Sequence, residues 1–143
     1  MPKSTTFSND LTALIFNATA IADIAENDTS APLANLYVSL HTATPGIGGD
    51  PQTNETAYTN YARVAVARTA GGWTVAAGVA SNTAIVSFAQ CGVTGATITH
   101  VAISTTASGA GKVLYAGAVS PTLAVANGIQ PQFAIGALTV TEA

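Results

Sequence analysis

An all-β fold, an antiparallel β-sandwich of jelly-roll type with about eight strands and one N-terminal helix, is the class this chain predicts. Three observations predict it. Short runs of alternating apolar and polar residues recur at intervals of roughly 8–15 residues, each closed by Gly, Pro, Asn or Ser. Only one stretch keeps the 3.6-residue rhythm of an amphipathic helix, and it lies near the start. Helices therefore do not alternate with strands, which argues against a parallel α/β sheet.

Residues 1–7 are polar and read as an arm; residues 8–143 read as a single domain. Ser8 or Asn9 is placed to cap a helix, with Asp10 in its first turn. Leu11, Leu14, Ile15, Ala18, Ile21 and Ala22 fall on one face, which predicts a helix over 9–25 ended by Asn27, Asp28, Ser30 and Pro32. From Asn35 to Thr42 the period becomes two. Leu36, Val38 and Leu40 face one way and Tyr37, Ser39 and His41 the other, as in a half-buried strand.

A long loop then runs from Thr44 through the Gly46–Gly49 stretch to Tyr58. Arg63–Arg68 alternates with Val64 and Val66 inward, Gly71-Gly72 signals a tight hairpin, and Trp73-Thr74-Val75 begins the return. Gly78–Asn82 reads as a turn, Ala84–Phe88 as a strand with Val86 and Phe88 together, and Gly92–Ala96 as a turn. Thr97–Ser104 is the most regular strand. Ser108–Gly111 turns the chain into a strand over Lys112–Ala118. Segments within Pro121–Gly128, Gln130–Ile135 and Ala137–Thr141 complete the set.

Only 8% of the 143 residues are charged, and the net charge is −3. A freely dispersed monomer usually carries roughly a quarter to a third charged residues on its surface. Ala, Thr, Ser, Asn and Gly fill that place here, a composition suited to lying against other protein. The four basic residues, Lys3, Arg63, Arg68 and Lys112, make no basic stripe, so a nucleic-acid partner is not expected. Mean hydropathy is +0.40, but the apolar runs are short and no membrane partner is expected. Met1-Pro2-Lys3-Ser4 lacks the basic end and apolar region of a secretory signal, so export by that route is not expected. The single Cys91 excludes an internal disulfide and reads as a small buried or interface residue.

No constellation of catalytic residues stands out, and no catalytic, metal or cofactor residue is assigned. His41, His100 and Asp50 are the one set that would offer three zinc ligands, against the simpler reading of two solvent-facing or interface histidines. No Gly-x-Ser-x-Gly elbow is present, and a Cys91–His100 pair lacks an oxyanion-donating helix. Asp50 with Glu55, and Asp23 with Glu26 and Asp28, are acid groups that loop solvation explains as well as glycoside hydrolysis would. Gly46-Ile47-Gly48-Gly49 has neither the Lys-Ser/Thr ending nor the helix of a phosphate loop. Three Asn-x-Thr triplets, beginning at Asn17, Asn27 and Asn54, match the glycosylation pattern without a secretory context. Tyr58, Tyr61 and Arg63 form one aromatic–basic group, the candidate subunit contact. Trp73 reads as a core anchor, with a place in that group as the alternative.

Three stretches carry a family resemblance: Ser8-Asn9-Asp10-Leu11 heading a helix; Ala34–Gly46 (ANLYVSLHTATPG) with Tyr61–Val66 (YARVAV); and Thr99–Ile103, Leu114–Ala118 and Ala137–Thr141 near the end. In this order they resemble a family of small virion structural proteins of tailed bacteriophages, of tail-fibre-like, minor structural or decoration type. The resemblance implies a β-rich, oligomeric, cofactor-free virion component rather than an enzyme. Expected partners are further copies of the chain, with a trimer as first guess, and the major capsid or tail proteins of the same particle. The expected place is the virion, assembled in the host cytoplasm. The alternative is a host-recognition module binding a cell-surface glycan through Tyr58, Tyr61 or Trp73. A third reading, a small hydrolase of envelope polymers, would rest on His41 or His100.

Overall fold

A computed structural model describes residues 4–21, 25, 32–46 and 49–142. The expected helix stop at Asn27, Asp28 and Ser30, the acid group Asp23, Glu26 and Asp28, Lys3, and Ile47-Gly48 lie outside them. Among the described residues, helix α1 (Thr5–Asn17) is followed by nine strands: β1 (Asn35–His41), β2 (Val64–Ala67), β3 (Trp73–Ala76), β4 (Val79–Asn82), β5 (Val86–Ser87), β6 (Ala96–Ser104), β7 (Val113–Val125), β8 (Gln132–Phe133) and β9 (Thr139–Thr141). The sheets run β2-β1-β6-β7, β3-β4-β9 and β5-β8. The pairs β1–β6, β6–β7, β3–β4 and β4–β9 are antiparallel. The fold is thus all-β and antiparallel with one N-terminal helix. Two compact units divide it: Met1–Asn35, Val66–Val86 and Phe133–Ala143 in one, Leu36–Ala65 and Ser87–Gln132 in the other.

In the first unit α1 starts earlier than its apolar rhythm suggests. The cap is Ser4, whose hydroxyl accepts a hydrogen bond from Phe7 N–H, so residues 5–7 belong to the helix rather than to an arm. The helix also stops earlier, at Asn17, where Ala18 turns left-handed at φ 53°. Arg68 meets this end. Its Nε donates to Ile15 O at 2.7 Å, Nη2 to Leu14 O at 2.8 Å and Nη1 to Leu33 O at 3.0 Å. One guanidinium thus serves last-turn carbonyls that have no partner inside the helix.

The helix packs on β3 and β4. Trp73, Val75, Ala80, Asn82 and Val140 share the inner face of this sheet by register. Trp73 is fully buried and meets Phe16 edge-on at 4.7 Å, so its reading as a core anchor holds. The outer face carries Thr74, Ala76, Val79, Ser81, Thr139 and Thr141.

Two local expectations are corrected here. Gly71-Gly72 is a turn between strands of different sheets and not a hairpin; Gly72 lies so close to Ala67 O that a Cβ would sit 2.1 Å from it. The hairpin is Ala77-Gly78, with positive φ at both residues, the geometry a two-residue connection needs. The expected Gly78–Asn82 turn is therefore mostly strand β4.

The second unit is built on β1, β6 and β7. Strand β1 is not half-buried: Val38, Ser39, Leu40 and His41 are all fully buried, because chain covers both of its faces. Strand β7 fuses two expected strands into one. It pairs with β6 on either side of a register shift, so that Ile98 faces Leu123 while His100 faces Ala118.

Candidate functional site

The richest concentration of polar chemistry lies in the second unit, under the loop that follows β1. Its segment 53–56 returns alongside β1: Thr42 N–H donates to Asn54 O and Thr56 N–H to Leu40 O, both at 2.9 Å. This return delivers Glu55 to the side chains that follow it. Glu55 Oε1 accepts from Tyr61 O–H at 2.9 Å and from Arg63 Nε at 2.7 Å, and Oε2 accepts from Arg63 Nη2 at 2.8 Å. Arg63 Nη1 donates to Thr106 O and Oγ1, and Nη2 to Gly109 O. All five guanidinium N–H groups are therefore used. Arg63 is 9% exposed, and the pair with Glu55 is a bidentate, nearly dry one. The adjacent carboxylate raises the Arg63 pKa further.

Tyr61 links this pair to the sheet, because its hydroxyl also accepts from Leu40 N–H at 3.1 Å. Its ring meets Tyr58 edge-on at 5.3 Å and lies nearly parallel to Phe88. Tyr58 O–H donates to Ala89 O. Burial raises the phenol pKa of both rings, Tyr58 to about 12 and Tyr61 further. Tyr58, Tyr61 and Arg63 do come together as the sequence suggests. Their setting is the interior: Tyr58 is 2% exposed, and their polar groups are committed within the unit. Little of Tyr58 or Arg63 is left to face another molecule.

His41 lies beside the same cluster and is fully buried, which corrects its reading as solvent-facing or interfacial. Nδ1 lies 3.0 Å from Thr53 O and Nε2 lies 2.9 Å from Ser39 Oγ. A carbonyl only accepts, so Nδ1 carries the hydrogen and Nε2 accepts from the Ser39 hydroxyl. Burial lowers the His41 pKa from 6.5. The register sets His100 directly opposite on β6, with its Nδ1 at 2.8 Å from Thr99 Oγ1.

Both His41 nitrogens are occupied, and no group of three metal-ligating side chains occurs among the described residues. Asp50 is tied to Gln52 N–H and Gly111 N–H, and the buried Cys91 Sγ lies 3.3 Å from Thr94 O. Sequence reasoning missed Ser39 and the pairing of Glu55 with Arg63. The available signal for the pair was a lone cation in a charge-poor chain with a carboxylate eight residues away.

Such an arrangement fastens loops; it offers a substrate no open carboxylate and no accessible base. An all-β chain that commits Arg63, Arg68 and Glu55 to its own loops and helix end in this way has the make-up of a structural protein. Comparison with known families is specific: the family model described as podophage GP4 fiber I protein gp80 matches residues 3–141. The chain belongs to this family of fibre-type structural proteins of tailed bacteriophage virions. No curated protein matches it.

Proposed function

We propose that the chain decorates or stabilises the capsid or tail surface of its virion through homo-oligomeric and neighbour-subunit contacts, with no catalytic role. The observation that carries this reading is the destination of the charges. Arg63 and Arg68, two of the four basic residues, are bound to main-chain carbonyls of their own chain, and Glu55 is bound to Arg63. The surface is therefore poorer in charge than the composition alone implies. Residues such as Thr74, Ala76, Ala116, Gly117, Ala118, Thr139 and Thr141 stand exposed instead. A surface of that kind resists dispersion and suits packing against protein. Further copies of the chain, as a trimer, and the major capsid or tail proteins are the proposed partners. Assembly takes place in the host cytoplasm.

Glycan recognition through Tyr58, Tyr61 or Trp73 is the less favoured reading, because Trp73 and Tyr58 are buried and offer no stacking platform. The test is light-scattering mass of the purified chain, alone and with the major capsid or tail protein. Oligomers, or a complex with either protein, are expected. A chain that stays monomeric and ignores both overturns the proposal.

A further inference from the structure

We propose that His41 is an acid-sensitive fastener that holds the segment Thr53–Thr56 against strand β1. The segment is a thin cover. Thr53 and Asn54 are exposed while the ring beneath them is fully buried. Its main chain is tied by His41 Nδ1–H to Thr53 O, Thr42 N–H to Asn54 O and Thr56 N–H to Leu40 O; side chains add Asn54 Nδ2 to Thr44 O, Thr42 Oγ1 to Asn54 O, and Tyr61 and Arg63 to Glu55. The imidazole thus supplies the tie at Thr53, the end of the segment that the Glu55–Arg63 pair does not hold.

Protonation changes the charge at this point without removing its hydrogen bonds. Nε2 gains a hydrogen, so Ser39 Oγ must accept instead of donate. Ser39 has a second acceptor in range, Ala102 O at 3.4 Å, to which its hydroxyl then turns. The Nδ1–H bond to Thr53 is unaffected. What remains is a cation with no exposed surface. Arg63 and His100 oppose it, and Glu55 favours it. Yet Glu55 has both oxygens bound to Arg63, and Tyr61 adds a third bond, so its charge is already largely answered. Raising the Thr53–Thr56 segment relieves the strain by giving the imidazolium water.

The sign follows from linkage. A group held neutral in the closed form binds its proton more readily once opened. The closed form is fully stabilised above about pH 6.5 and loses that stabilisation as pH falls through the closed-form value. Over that window opening rises by up to about tenfold per pH unit, the limit for one proton.

Amide hydrogen exchange between pH 7.5 and 5, corrected for intrinsic rates, reads the opening at Thr42 and Thr56, with Gly128 (bonded to Cys91 O) as reference. Protection at Thr42 and Thr56 is expected to fall with pH in the native chain. It should hold constant in His41→Gln, whose amide is uncharged, and fall as in the native chain in His100→Gln. Flat protection in the native chain overturns the proposal, as does an equal slope in His41→Gln or a slope abolished in His100→Gln. Should His41→Gln not fold, NMR titration of the His41 ring in the native chain decides. A midpoint below 6.5 supports the fastener, and one at or above 6.5 overturns it.

Discussion

Replacing Arg63 by alanine is expected to be among the most damaging single changes in the second unit. The variant strands a carboxylate whose side chain is 17% exposed, leaving Glu55 with only the Tyr61 hydroxyl. It also removes the donors to Thr106 O and Gly109 O, which lie in the turn between β6 and β7. Breaking a buried ion pair from one side costs about 3–5 kcal/mol, and the residual exposure of Glu55 places this case near about 3. For a chain of this length that lowers Tm by roughly 10 °C. The loss comes from the orphaned groups more than from the attraction itself, so removing both partners should be milder than the sum. The assay is a urea-denaturation cycle of the native chain, Arg63→Met, Glu55→Gln and the double variant. A coupling of about 2 kcal/mol is expected. Singles that add within about 0.5 kcal/mol, or an Arg63→Ala variant as stable as the native chain, would refute the buried fastening.

Tyr58 predicts an alkaline limit. Its pKa is about 12 in the folded chain against 10 when free, so the stability it confers is complete below pH 10 and is lost as pH rises toward 12. Phenolate absorbance from Tyr58, read as the difference between the native chain and Tyr58→Phe, should therefore appear together with loss of structure, and such a difference already present at pH 10 in the folded chain would contradict it. Arg68→Ala should cost about 1–3 kcal/mol by unpairing Leu14 O and Ile15 O, seen as faster amide exchange in the last turn of α1; unchanged exchange there would count against it. Trp73→Ala should cost about 3–5 kcal/mol by opening a cavity. Trp73→Phe should cost much less, because it also removes a buried Nε1–H that has no partner among the described residues; equal losses in the two variants would show that reasoning wrong.

Local periodicity located most of the strands because alternation is a property of the strand itself. Thr97–Ser104 was legible as β6 and Asn35–Thr42 as β1 almost to the residue. What failed were features set by other parts of the chain. Ser39 and His41 alternate as an outward face, yet both are buried, His41 bonded to the returning Thr53 and Ser39 to His41, and no period records such a long-range partner. Pro121 suggested a break between two strands, but β6 runs opposite both halves and carries β7 through it. The start of α1 was misplaced because its first residues, Thr5 and Thr6, carry no apolar rhythm, while the Ser4 hydroxyl before them is well placed to cap.

The same contrast explains the site. A β fold with short strands and long connections leaves many carbonyls outside any ladder, and buried ones need donors. This chain meets the need with guanidinium groups: Arg63 holds Thr106 and Gly109, and Arg68 holds Leu14, Ile15 and Leu33. A planar fork of five donors can bridge two or three carbonyls at fixed angles, whereas an ammonium on a flexible stem cannot. Scarcity of charge and burial of charge are thus one design. A composition with so few cations commits two of them to its own main chain, where one planar group can serve several carbonyls at once.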